Sequence, residues 1–163
     1  MELETRPVLV AYDGSTEADA ALRQAAALFA RHRQVVVSVW EPGLAMAMTG
    51  SAPDHLSGLA YVAPSPETMA IVDEAQSERA TDTASAGARV ARELGAEAEA
   101  HPVAEQVDAA ETIVAVAEQR DAAAVVVGSR GLGRVKSRLL GSTSRAVLEH
   151  TRRPVLVVRA PDA

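Results

Sequence analysis

The 163-residue chain contains no cysteine. Disulfides, thiol nucleophiles and cysteine-held zinc or iron–sulfur centres are therefore excluded. Aromatic side chains are nearly as scarce: Tyr12, Phe29, Trp40 and Tyr61 make up the whole 2%. Single-stranded nucleic acid is bound largely by stacking, so no nucleic-acid partner is expected. There is no excess of positive charge, since 16 Lys and Arg stand against 22 Asp and Glu for a net −6. Any polyanion must then be held at a local site. No apolar run approaches the ~18 residues that span a bilayer, so no membrane association is expected. Residues 1–7, Met-Glu-Leu-Glu-Thr-Arg-Pro, are acidic and polar rather than basic and then apolar, and the expected location is cytoplasmic. What remains is 48% hydrophobic and 23% charged residues, the profile of a folded globule. The length suits one domain whose core needs no covalent staple.

Residues 7–12 form an apolar, β-branched run closed by Asp13-Gly14-Ser15, which reads as a strand buried on both faces followed by a turn. A helix is expected from about Thr16, with Thr16 as its cap and Asp19 completing a capping box. Its apolar stripe is Ala18, Leu22, Ala25, Ala26 and Phe29, and Arg31 and Arg33 suit its C-terminal end. Residues 35–40 read as a second strand. Residues 43–66 hold Gly43, Gly50, Gly58, Pro53, Pro64 and Pro66, and read as a long flexible connection. An alanine-rich helix should cover 67–94, ended by Gly95. A third strand is placed at 98–103. Asp108 caps a helix with the stripe Ala110, Ile113, Val114 and Ala117. A fourth strand follows at 122–127, a helix at 142–150, a last strand at 154–159, and a short tail at 160–163. Strands that alternate with helices and are apolar throughout imply a parallel sheet covered on both faces. Crossover handedness makes it an open, doubly wound α/β domain spanning residues 1–163.

Ligands of such sheets bind beyond the carboxyl ends of the strands. The segment that follows the fourth strand is the informative one there. Gly128, Gly131, Gly133 and Gly141 leave its backbone bare, so that successive N–H groups can form an anion nest. Ser142 and Thr143 open a helix whose N-terminus adds donors and a favourable dipole. Residues 122–148 hold Arg130, Arg134, Lys136, Arg138 and Arg145 but no Asp or Glu. Such local positive charge within an acidic protein points to a phosphorylated ligand. The segment is not a P-loop, because no Gly-Lys-Ser/Thr follows, and it lacks the third glycine of the dinucleotide fingerprint. No Gly-x-Ser-x-Gly elbow is present either. Asp13 alone could serve only to cap its turn. A receiver domain would also place an Asp there, but would need a second acidic neighbour and a phosphoacceptor on another strand. His32, His55, His101 and His150 have no metal-ligand spacing and read as surface residues. Met46 and Met48 read as loop packing.

The spacing that does match is Gly128-x-x-Gly131, nine residues, then Gly141-Ser142. It resembles the ATP-binding signature of the universal stress protein family. Residues 8–15, 35–41 and 125–159 resemble the family's first strand with its Asp, its second strand, and its last strand–loop–helix–strand unit. The resemblance implies a Rossmann-like, adenine nucleotide alpha hydrolase-like sheet of order 3-2-1-4-5 that binds ATP. Asp13 and Val39 would meet the adenosine end, with Ala11 where the backbone approaches it. Gly128, Arg130 and Gly131 would line the ribose–phosphate turn. Gly141, Ser142 and Thr143 would hold the outer phosphates. Ser129, Gly133 and Arg134, in the same loop, complete the set of candidate contacts. Two positions depart from the family pattern: Val107 replaces a glycine before Asp108, and Ala123 replaces an Asp before the fourth strand. No general base or nucleophile accompanies the loop, so regulatory binding with at most slow hydrolysis is expected. An interaction module that binds no nucleotide is the alternative, and whether Mg²⁺ accompanies the nucleotide stays open. As the last strand of that order, 154–159 lies at an edge with no charge or interior proline to block pairing. A homodimer through this strand is expected.

Overall fold

A computed structural model describes residues 4–43, 64–130 and 140–160. In chain order the elements are β1 (Glu4–Ala11), α1 (Thr16–Leu28), β2 (His32–Trp40), α2 (Pro66–Glu93), β3 (Ala98–Ala104), α3 (Ala109–Gln119), β4 (Ala124–Gly128), α4 (Ser142–His150) and β5 (Val155–Val158). The five strands form a single sheet of order β3-β2-β1-β4-β5. Every neighbouring pair is parallel. The open doubly wound architecture expected from the strand–helix alternation is the one observed. None of the described helices is long and apolar enough to cross a membrane.

The absence of polar alternation in the strands is explained by two apolar layers. Val8, Val10, Val36 and Val126 pack with Leu22, Ala25 and Ala88 on one face. Leu9, Val35, Val37, Val125 and Val127 pack with Ile113, Ala117 and Val147 on the other. Small residues set the depth of the first layer. On α2, Ala80, Ala84, Gly87, Ala88 and Ala91 are buried. A Cβ on Gly87 would stand 2.8 Å from the Tyr12 ring and 2.9 Å from Val36 Cγ1. Only a bare residue lets α2 lie that close to the sheet.

Several local expectations are corrected. The cap of α1 is Ser15, not Thr16: the Ala18 N–H donates to Ser15 Oγ at 3.1 Å. Asp19 closes no capping box and instead accepts the Tyr12 hydroxyl at 2.7 Å. Arg31 and Arg33 lie beyond α1, which ends at Leu28 with no basic residue in its last turn; Arg33 reaches Glu99 at 3.6 Å. His101 is half-buried rather than on the surface, and its Nδ1 lies 3.1 Å from Arg120 Nη2. The departures at Val107 and Ala123 leave their turns intact. Asp108 still caps α3 by accepting the Glu111 N–H at 2.7 Å, and the Ala123 N–H donates to the Pro7 carbonyl at 2.8 Å. Of the expected connection at 43–66, residues 44–63 lie outside the described residues, as do Met46, Met48 and His55.

The two borders of the sheet differ. β3 carries Pro102, which has no N–H to offer, and Glu99, which meets Arg120 at 2.6 Å and Arg33 at 3.6 Å. β5 is Val155-Leu156-Val157-Val158, without charge. The Val125 N–H donates to the Pro154 carbonyl and the Ser129 N–H to the Val158 carbonyl. In a parallel ladder this phase turns the peptide groups of Val155 and Val157 away from β4.

Candidate functional site

The carboxyl ends of β1, β2 and β4 enclose a cavity of about 360 Å³. It lies where the winding of the sheet reverses, since β1 has β2 on one side and β4 on the other. This is the place where open α/β sheets bind their ligands.

The first wall is the tip of β1, through Ala11, Tyr12 and Asp13. The Tyr12 N–H donates to the Val37 carbonyl at 2.8 Å and keeps the tip in the sheet. The chain then turns at Gly14, whose φ of +79° lies in the left-handed region that favours glycine. The Ser15 N–H donates to Asp13 Oδ1 at 2.9 Å, which fixes the exposed carboxylate. Burial, and then the bond to Asp19, push the Tyr12 hydroxyl up to about 12. It therefore stays a proton donor throughout the neutral range.

The second wall is aliphatic. Val37 and Val39 come from β2, Val127 from β4, and Ala109 and Ile113 from the first turns of α3. The third wall is made of backbone and hydroxyls, from Gly128 and Arg130 and from residues 140–144 at the start of α4. Gly128 has no room for a side chain. A Cβ there would stand 2.8 Å from the Glu17 carbonyl carbon and 3.0 Å from the Arg130 oxygen. Its own carbonyl accepts the buried Ser144 hydroxyl at 2.6 Å. The Gly141 N–H donates to the Ser129 carbonyl at 2.7 Å, so the chain starts α4 beside the point where it left β4. Gly141 occupies the N-cap of α4 without any side-chain bond, and no acidic residue stands in that first turn. The first N–H groups of a helix have no partner within it, and here they begin at the cavity. Arg130 and Arg145 are both exposed beside this start.

Of the residues singled out from the sequence, Ala11, Asp13, Val39, Gly128, Arg130, Gly141, Ser142 and Thr143 meet around the cavity. Ser129 is buried behind it, where its backbone ties the loop to Val158 and Gly141. Gly131, Gly133 and Arg134 lie outside the described residues, as do Lys136 and Arg138. Sequence reasoning missed Tyr12, Ser38, Ala109 and Ile113 as wall residues. Ile113 belongs to an apolar stripe, and such a stripe has the same period whether it faces core or cavity. Among the described residues, no three His, Asp or Glu side chains cluster closely enough to hold a metal ion.

A sequence model of the universal stress protein family matches residues 4–159. The chain belongs to that family. Among its relatives, universal stress protein YxiE of Bacillus subtilis is 33% identical over 157 residues, which cover 93% of this chain and 97% of YxiE. The structure of universal stress protein UspA from Lactobacillus plantarum superposes with a TM-score of 0.70 at 20% identity, covering 97% of this chain and all of that one. The universal stress protein of Archaeoglobus fulgidus was solved in complex with dAMP. It superposes with a TM-score of 0.59 at 25% identity and covers 94% of this chain and 97% of that one. The strand order 3-2-1-4-5 of this universal stress protein is thus the order expected from the resemblance.

Proposed function

We propose that this universal stress protein binds ATP in the crevice and acts through nucleotide occupancy rather than rapid turnover. The observation that carries the reading is the start of α4. It is glycine-capped, free of acidic residues, and opens on a cavity whose other wall is aliphatic. An apolar surface for the base beside a helix N-terminus for phosphate is the chemistry of a nucleotide site. The dAMP complex of the Archaeoglobus fulgidus relative supports the ligand class.

In this reading Val39 and Ile113 flank the base, with Ala11 beside it, and Asp13 accepts hydrogen bonds from base or ribose. Gly128 and Arg130 follow the ribose and first phosphate. Ser142 and Thr143 give N–H and hydroxyl donors to the outer phosphates, because the Gly141 N–H is already taken by Ser129. Ser129, Gly131, Gly133 and Arg134 enter through the signature spacing, and Mg²⁺ can accompany the phosphates as it does free ATP. Asp13 is the one carboxylate among the described lining residues, and its Oδ1 already accepts an N–H. That leaves little to activate a water. Titration calorimetry with ATP should show binding, weakened at least about tenfold by Asp13→Ala, a loss typical of a hydrogen bond to a charged group. Absence of heat in the wild type would reject the site.

The open border at β5 supports a homodimer through residues 154–159, with each copy completing the other's ladder. Val157→Pro removes one outward N–H and leaves the β4 ladder untouched. Light scattering should show the mass fall from two chains to one. A variant that stays paired while it still binds ATP would refute this interface.

A further inference from the structure

Tyr12 lines the cavity, yet most of what holds it lies elsewhere. Its ring sits under Gly87 of α2, which has no room for a Cβ. Its hydroxyl donates to Asp19 Oδ1, in the first turn of α1, at 2.7 Å. A phenylalanine would fill the same space without needing a buried partner for a hydroxyl, so the oxygen calls for a reason. The bond closes residues 12–19 into a ring. Within that ring lie Asp13, which is fixed to the Ser15 N–H, and Gly14, whose bare backbone would otherwise leave the turn pliable. Glu17, in the same ring, rests against Gly128 on the far side of the crevice.

We infer that Tyr12 is a positioning residue: by tying the exit of β1 to the first turn of α1, it holds the Asp13 carboxylate at the cavity for the nucleotide. The inference rests on the nucleotide reading above. It assigns to Tyr12 no contact with the reacting end of the ligand, and its effect on binding passes through Asp13.

The test is a double-mutant cycle read by ATP titration, with thermal melts run alongside. Tyr12→Phe keeps the ring and removes the bond, and should weaken ATP about five- to tenfold, the range for one hydrogen bond that orders a ligand contact. Asp19→Ala should match it. Asp19→Asn, whose amide oxygen can accept the same hydroxyl, should return affinity to within about twofold of wild type. In an Asp13→Ala background, Tyr12→Phe should change affinity by less than about twofold, because the residue it positions is gone. A purely structural role would lower the melting temperature and leave the cycle additive. Full affinity in Tyr12→Phe, or the same loss with Asp13 absent, overturns the inference while leaving the nucleotide site standing. A wild type that gives no heat with ATP overturns both.

Discussion

α1 and α4 both begin at the crevice, and they begin differently. α1 starts from Ser15, whose hydroxyl accepts the Ala18 N–H, and carries Glu17 and Asp19 in its first turn. α4 starts from Gly141, with no side-chain cap and no acidic residue. The other two helices follow α1. α2 is capped by Ser65 with Glu67 in its first turn, and α3 by Asp108 with Glu111. Three helices thus meet the needs of their own N-termini, with hydroxyl or carboxylate for the free donors and negative charge for the dipole. The fourth leaves both requirements unmet at the point where the cavity opens. A helix end so placed is suited to an anion from outside the chain.

The contrast can be broken or sharpened by substitution. The largest effect is expected at Gly128, where the two helix starts meet: Glu17 of α1 occupies the space of its missing side chain, and Ser144 of α4 holds its carbonyl. Gly128→Val should force these starts apart, abolish measurable ATP binding in calorimetry and cost about 3 kcal/mol in urea unfolding, the upper range for overpacking. Next comes Ser142→Glu, which gives α4 the acidic first turn of α1. ATP affinity should fall roughly tenfold through repulsion of the phosphates, while the ligand-free melting temperature holds or rises slightly. The smallest effect is expected from Gly141→Asp. The backbone there is extended, at φ −66° and ψ 161°, so any residue can adopt it. An internal cap should stabilise the free protein by a few tenths of a kcal/mol. It should also shrink the thermal shift produced by ATP, as seen in paired melts. An unchanged shift in both α4 variants would show that this helix start is not where the ligand's charge rests.

Much of the fold was legible because the valine-rich runs lack polar alternation, and only a sheet covered on both faces has a use for that. The glycine spacing from 128 to 141 was legible for a similar reason: the backbone, not the side chains, does the work there. What escaped depends on particular hydrogen bonds and contacts rather than on residue pattern. Ser15 and Thr16 are adjacent hydroxyls, and the choice between them is made by the turn in which Asp13 accepts the Ser15 N–H. The burial of Ser129 follows from backbone bonds to Val158 and Gly141. Tyr12 gains its meaning from Gly87, on a helix that no local pattern links to it. Gln34 is wholly buried in β2 with neither amide atom partnered among the described residues, and nothing in the fold accounts for it.

The unequal borders of the sheet limit how far copies of this chain can add to one another. A strand array with two receptive margins can grow without end, and one with none cannot grow at all. Here Pro102 and the charges around Glu99 guard one margin, while the four aliphatic residues of β5 leave the other receptive. Whatever docks on that single free rim uses it up, so association by this route stops after one step. Such a chain, at whatever concentration, would not polymerise through its own sheet.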